Sequence, residues 1–188
     1  EIYFWLGRYV ERSASMSRLV QVQTAFDRGR ADGTGWAWLL TLYDQLDDFD
    51  ERYGANGGRS ADNVIAYCLT DQSHFGSVAS TLAAAHLNAR GLRALISTDF
   101  WIQINRLRGR VRNLPVTAVH ENRLAQTCQQ IQTDAYALLG IAESTFYRDS
   151  GWRFFCLGVE VERADQMSRL LDVRFAQLSS GVAVAGPR

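Results

Sequence analysis

Two stretches of this chain, 151 residues apart, are nearly the same. Leu6-Gly7-Arg8-Tyr9-Val10-Glu11-Arg12-Ser13-Ala14-Ser15-Met16-Ser17-Arg18-Leu19-Val20-Gln21-Val22 aligns without a gap with Leu157-Gly158-Val159-Glu160-Val161-Glu162-Arg163-Ala164-Asp165-Gln166-Met167-Ser168-Arg169-Leu170-Leu171-Asp172-Val173, and 10 of 17 positions are identical. The interval is far too long for a solenoid repeat. It suggests a doubled helical unit whose two copies pack about a local twofold axis. Ile2, Leu6, Tyr9, Ser13, Met16 and Val20 recur at steps of three and four, which lays one stripe along an α-helix.

The shared residues constrain how the two helices meet. A glycine inside a helix costs about 1 kcal/mol against alanine, so Gly7 and Gly158 predict a close helix–helix approach. Glu11 shares a helical face with Arg8, Ser15 and Arg18, and Glu162 shares one with Arg169. Arg12 falls among Trp5, Tyr9, Met16 and Leu19, and Arg163 near Cys156, Met167 and Leu170. A guanidinium on an apolar stripe needs a carboxylate or an aromatic face. The natural partner of each arginine is the glutamate of the other copy. Two readings of the motif stay open. One is a structural ion-pair network that sets the register of the two helices. The other is a polar centre for a carboxylate, amine or phosphate ligand, with Glu11 or Glu162 as base and Arg8, Arg18 or Arg169 as anion clamp.

No segment alternates at period two, and only 2 of the 188 residues are proline. The expectation is an all-α bundle of about seven helices, over roughly 1–29, 35–53, 60–69, 74–96, 97–114, 118–145 and 152–178. Gly29 and Asp32–Gly35 end the first helix, and Gly54–Gly58 forms a loop. Ser60 or Asp62, Asp71 or Ser73, Ser97–Asp99 and Asp149–Gly151 are the candidate helix starts. The small, Gly-rich tail after Ser179 reads as frayed. No cap residue precedes the opening helix, so the chain reads as a single domain, 1–188, shortened at both ends.

Composition removes several chemistries. The 20 basic residues, all arginine, balance 20 acidic ones. No net field favours nucleic acid or an anionic membrane, and no lysine exists to serve a phosphate loop or a Schiff base. Cys68, Cys128 and Cys156 form no CxxC pair and read as buried, reduced thiols in a cytoplasmic protein. The longest uncharged run, Gln72–Ala89, is too polar to span a membrane. No histidine carries a metal-ligand pattern. Asp71 reads as a helix cap rather than a partner of His74, and His120-Glu121 as a surface pair. We therefore expect no metal, no cofactor and no catalytic residue. Asp44, Asp47, Asp48 and Glu51 form an acidic stripe read as a solvated face, and Arg106, Arg108, Arg110 and Arg112 spread around their helix. Trp101 and Asn105, one turn apart, read as packing and hydrogen bonding inside the bundle.

Phe4–Arg12 and Gly151–Asp165 resemble the two signature helices of the bacterial alpha-E domain, an all-helical family named for its Glu-Arg motif. Asn88-Ala89-Arg90, followed by Phe100-Trp101 and Asn105, is similar to its middle signature, and Tyr147-Arg148-Asp149 to the entry to its second motif. The chain departs from the family at Leu87, where a glutamate is usual, and at Val159-Glu160, where an Arg-Tyr pair is common. The resemblance implies a longer family domain that continues with further helices, of which this chain is the N-terminal part. It carries no established reaction. It implies an accessory role beside circularly permuted ATP-grasp proteins that look like amide- or peptide-forming ligases, in whose neighbourhood transglutaminase-like proteins and a proteasome-like peptidase also occur. The expectation is a non-catalytic interaction domain with such a ligase as protein partner. The rival readings are a small-molecule enzyme or ligand-binding domain built on the Glu-Arg cluster, and a structural homo-oligomerisation module.

Overall fold

A computed structural model describes residues 1–27, 34–54, 58–115 and 121–179. The described chain is all helical: α1 (Ile2–Asp27), a 3₁₀ turn (Thr34–Trp36), α2 (Ala37–Leu42), α3 (Leu46–Tyr53), α4 (Ala61–Leu69), α5 (Val78–Gly91), α6 (Thr98–Arg112), α7 (Glu121–Thr145) and α8 (Ser150–Ser179). Gly29, Asp32, Gly33, the centre of the Gly54–Gly58 loop, His120 and the tail after Ser179 lie outside the described residues.

Helix α1 is the axis of the bundle. It packs against α5 and α7 on one side and α8 on the other, and α6 closes the layer by bridging α5 and α7. Leu6, Val10, Ala14 and Val20 of α1 meet Leu82 and Ala85 of α5, Ile104 and Leu107 of α6, and Ile131, Ala135 and Leu138 of α7 in one buried core. Ser13 and Ser17 are fully buried in the same helix. Each turns its hydroxyl back onto its own helix, to the carbonyls of Val10 and Ser13 at 2.8 Å, so neither leaves a polar group unpaired. Small side chains on α1 thus allow helices on several sides at little polar cost.

Three helix starts follow local chemistry. Ser60, Ser97 and Asp149 accept backbone N–H groups at 3.4, 3.1 and 3.0 Å. At α5 the cap is Ser77, which receives the Ser80 amide. Asp71 instead accepts the Ser73 amide at 2.8 Å and the Ser73 hydroxyl at 2.6 Å, tying down the turn before it. The helix expected from 74 therefore starts at Val78.

The helix expected over 35–53 is broken. Asp44 takes φ +55°, a left-handed conformation that aspartate tolerates better than most residues. The Leu40 carbonyl receives the amides of Tyr43 and Gln45, closing α2, and α3 begins at Leu46. Asp44 consequently leaves the acidic stripe. Asp48 is no free acid either: it accepts the Tyr67 hydroxyl at 2.6 Å and Arg52 at 2.9 Å. The described residues hold eight α-helices because of this break.

The turn from α7 into α8 is pinned by aromatic rings. Phe146 contacts Tyr3, Phe100, Trp152 and Phe155 with centroid separations of 5.0–6.3 Å. This cluster holds the start of α8 beside the start of α1 and sets up their crossing.

Candidate functional site

Helices α1 and α8 meet backbone to backbone. A Cβ on Gly7 would lie 2.3 Å from the Phe155 carbonyl oxygen, and one on Gly158 would lie 2.0 Å from the Phe4 carbonyl oxygen. These two contacts are the same contact with the 151-residue offset exchanged. Residue numbers rise together on both sides, from 7 against 155–159 to 12 against 162, so the helices run parallel. Only glycine permits this approach, and it brings the next helical turn of each helix into charge range of the other.

That next turn is the Glu-Arg motif. Arg12 donates through Nε and Nη2 to Glu162 at 2.7 and 2.9 Å. Reciprocally, Arg163 Nη2 lies 3.1 Å from Glu11 Oε2. Each arginine reaches the glutamate of the opposite helix. Both carboxylates are buried, Glu162 completely and Glu11 at 2% exposure.

The two halves are nevertheless unequal. Glu162 also receives Arg8 Nε at 2.8 Å and the Gln166 amide at 2.9 Å. Its two oxygens accept four hydrogen bonds, which fills the acceptor capacity of a carboxylate. Glu11 receives the Ser15 hydroxyl at 3.4 Å, and its Oε2 pairs with Arg163 as an ion pair without an aligned hydrogen bond. The cause is one residue. The position equivalent to Arg8 is Val159, so no second guanidinium reaches Glu11.

The electrostatics follow. Burial alone would raise the carboxyl of Glu162, but the hydrogen bond and charge of Arg12, with Gln166 and Arg8, hold it below the ordinary 4.5. Burial would lower the guanidinium of Arg12, and Glu162 more than offsets that. A carboxylate with all its acceptor sites filled and its proton affinity lowered is a poor base. The arrangement acts as a clamp between helices.

The other residues marked by the sequence lie elsewhere. Arg18 does not join the clamp; it bonds to the Tyr136 hydroxyl and sits 5.8 Å over that ring. Seven residues on from Glu11, it has turned toward α7 rather than α8. Arg169 donates to Asp165 Oδ1 at 3.2 Å and lies 5.8 Å over the ring of Tyr43. Trp101 packs partly buried, with His86 5.1 Å and Arg93 5.6 Å away. Asn105 is exposed, not interior; it bonds to the Trp101 carbonyl at 2.6 Å and to His86 at 3.0 Å. Cys68 and Cys128 are buried, and burial pushes both thiols up to about 12. Cys156 is half-buried. No group of three His, Cys, Asp or Glu among the described residues is placed to hold a metal ion.

Three participants escaped the sequence reading. Asp165 forms an ion pair with Arg8 at 3.7 Å and accepts a hydrogen bond from Arg169, and Gln166 supports Glu162. Their spacing from Glu162, three and four residues on, was the available signal. Tyr43, whose hydroxyl bonds to Gln166 and whose ionisation burial opposes, comes from a distant turn and left no signal.

The fold and the clamp define a class: an all-α bundle locked by a reciprocal buried Glu-Arg pair. The chain belongs to the Alpha-E family, described as a predicted alpha-helical domain with a conserved ER motif, whose model matches residues 1–186. It is similar to uncharacterized proteins of Mycobacterium bovis and Mycobacterium tuberculosis, 25% identical over 185 residues that cover 89% of this chain. The chain spans about a fifth (21%) of the length of these relatives. No solved structure matches. No helix among the described residues is long and apolar enough to cross a membrane.

Proposed function

We propose that this chain is a non-catalytic helical interaction domain serving an ATP-grasp-type amide- or peptide-forming ligase, with its Glu-Arg motif acting as an internal lock. The observation that carries the reading is the two-sided character of α8. One side is committed to α1 through Gly158, Glu162 and Gln166. The other presents Phe154, Leu157, Val161, Ala164, Ser168, Leu171 and Phe175 at alternating steps of three and four. Leu157 and Leu171 are each 49% exposed and Phe175 is 64% exposed. A stripe apolar but for Ser168, with heptad spacing on an open helix face, is the form that takes another helical surface. The ligase as partner follows from the family resemblance, and its ATP chemistry belongs to that partner. Three unpaired cysteines fit a reducing, cytoplasmic setting.

The test is binding and turnover. The chain, in the polypeptide in which it occurs, is titrated into an ATP-grasp-type ligase from the same operon or fusion, alongside Leu171→Asp and Phe175→Asp. The expected result is complex formation or a change in ligase turnover, weakened at least tenfold by either substitution while helicity and the unfolding midpoint hold. No complex and no effect on turnover would overturn the proposal.

A further inference from the structure

A cavity of about 160 Å³ opens beside the clamp, between α1, α8, the α2–α3 turn and the turn before α5. It is far larger than the roughly 10–15 Å³ that one water needs. Its walls mix charged, polar and apolar side chains. Arg12 lines it from α1, Arg169 and Asp165 from α8, Tyr43 and Gln45 from the α2–α3 turn, and Gly76 from the turn before α5, beside Gln45. A Cβ at Gly76 would come 2.9 Å from His74 Nε2 and 3.3 Å from Gln45 Nε2, so a larger residue there would crowd the Gln45 amide.

Charge beside the cavity is not balanced. Arg8, Arg12 and Arg169 surround Glu162 and Asp165, which leaves one positive charge in excess. The donors are also incompletely used. A guanidinium carries five N–H groups. Arg12 directs Nε and Nη2 to Glu162, and Arg169 directs Nε to Asp165. Arg169 also lies 5.8 Å over the Tyr43 ring, a contact that favours this orientation of its fork. Two guanidiniums lining one cavity form a recognition element for a planar or tetrahedral oxyanion.

We infer that this cavity is a binding site for a small oxyanion, a carboxylate or a phosphate group, seated between Arg12 and Arg169 with Gln45 at the rim. Glu162 stays locked and takes no part, so the site is a receptor and not a catalytic centre. The inference stands apart from the docking reading, because the site lies within this chain and needs no partner.

Calorimetric titration of the whole chain with sodium phosphate and with sodium acetate, each against sodium chloride at equal ionic strength, tests it. The expected result is saturable binding of one oxyanion per chain. Arg169→Gln removes a donor and Gln45→Glu adds a like charge at the rim; each is expected to weaken binding at least tenfold while circular dichroism and the ligand-free unfolding midpoint hold. Saturation by phosphate alone identifies a phosphate group as the ligand, and saturation by acetate alone identifies a carboxylate. Should Arg169→Gln fail to fold, Gln45→Glu decides. No saturation by either anion, or saturation indifferent to the substitutions that fold, would overturn the inference.

Discussion

Met16 and Met167 occupy equivalent positions in the two matching segments, yet Met16 is 2% exposed and Met167 is 59% exposed. Leu6 and Leu157 differ in the same way, as do Val20 and Leu171. The same residue types at the same helical positions therefore carry different duties. Helix α1 is enclosed by α5, α7 and α8, whereas α8 packs mainly on α1 with a lesser contact to α2. The glycine and the glutamate are buried in both helices, because they face each other across the crossing; both arginines reach across it, but the side chain of Arg163 is 48% exposed and that of Arg12 15%. Off that seam, burial is decided by which neighbours arrive. The comparison separates a shared lock from a face that is core on one helix and open on the other.

The lock itself distinguishes the helices, and this gives the largest expected effect. Glu162→Ala strands Arg8 and Arg12 against a buried wall, and breaking a buried pair in this way costs about 3–5 kcal/mol. Glu11→Ala releases Arg163, whose side chain is 48% exposed and can turn to water. Its cost is about 1 kcal/mol, in the range of an exposed pair. Denaturant unfolding of the two variants measures the difference. Equal losses would show that Val159 in place of a second arginine does not make the halves unequal.

Methionine truncation tests burial directly. Met16→Ala is expected to cost about 2–5 kcal/mol and Met167→Ala no more than about 0.5 kcal/mol. Alanine at the crossing comes next. Gly7→Ala and Gly158→Ala each push a methyl into a carbonyl oxygen of the opposite helix, and backbone cannot swing aside as a side chain can. Each is expected to cost about 1–3 kcal/mol, offset in part by alanine's better helix propensity. Near-equal values would support a symmetric crossing beneath an asymmetric charge pair.

How much of this was legible in the sequence follows from what each feature depends on. An arginine on an apolar stripe has few admissible partners, so the cross-pairing of Arg12 with Glu162 and Arg163 with Glu11 could be reasoned from the 151-residue match. The glycines likewise have one economical explanation. The break at Asp44 was not legible, because a left-handed aspartate inside Tyr43-Asp44-Gln45 is preceded by no glycine or proline. Arg18 was assigned to the wrong neighbour because seven residues of a straight helix return to nearly the same face, while its actual partner Tyr136 comes from α7. The cavity depends on two turns folding over α1 and α8, and side chains 30 to 150 residues apart that share no period announce nothing.

The smallest expected effect is in acid, and it separates the locked Glu162 from the buried His74. Glu162 is held below 4.5 in the folded chain, so the unfolded chain binds the proton first as pH falls. Its stabilisation is complete above about 4.5 and is lost as pH drops from there toward its native value. His74 acts in an earlier window. Burial lowers its proton affinity below 6.5, so the unfolded chain takes that proton first and stability declines as pH falls below about 6.5. One group can contribute at most about 1.4 kcal/mol per pH unit. Glu162→Gln should flatten the loss below about 4.5 and leave the decline that starts near 6.5. Unfolding midpoints measured at intervals from pH 7 to pH 3 give the slopes. A Glu162→Gln curve parallel to that of the parent chain throughout would show that the filled acceptors of Glu162 do not hold its proton off.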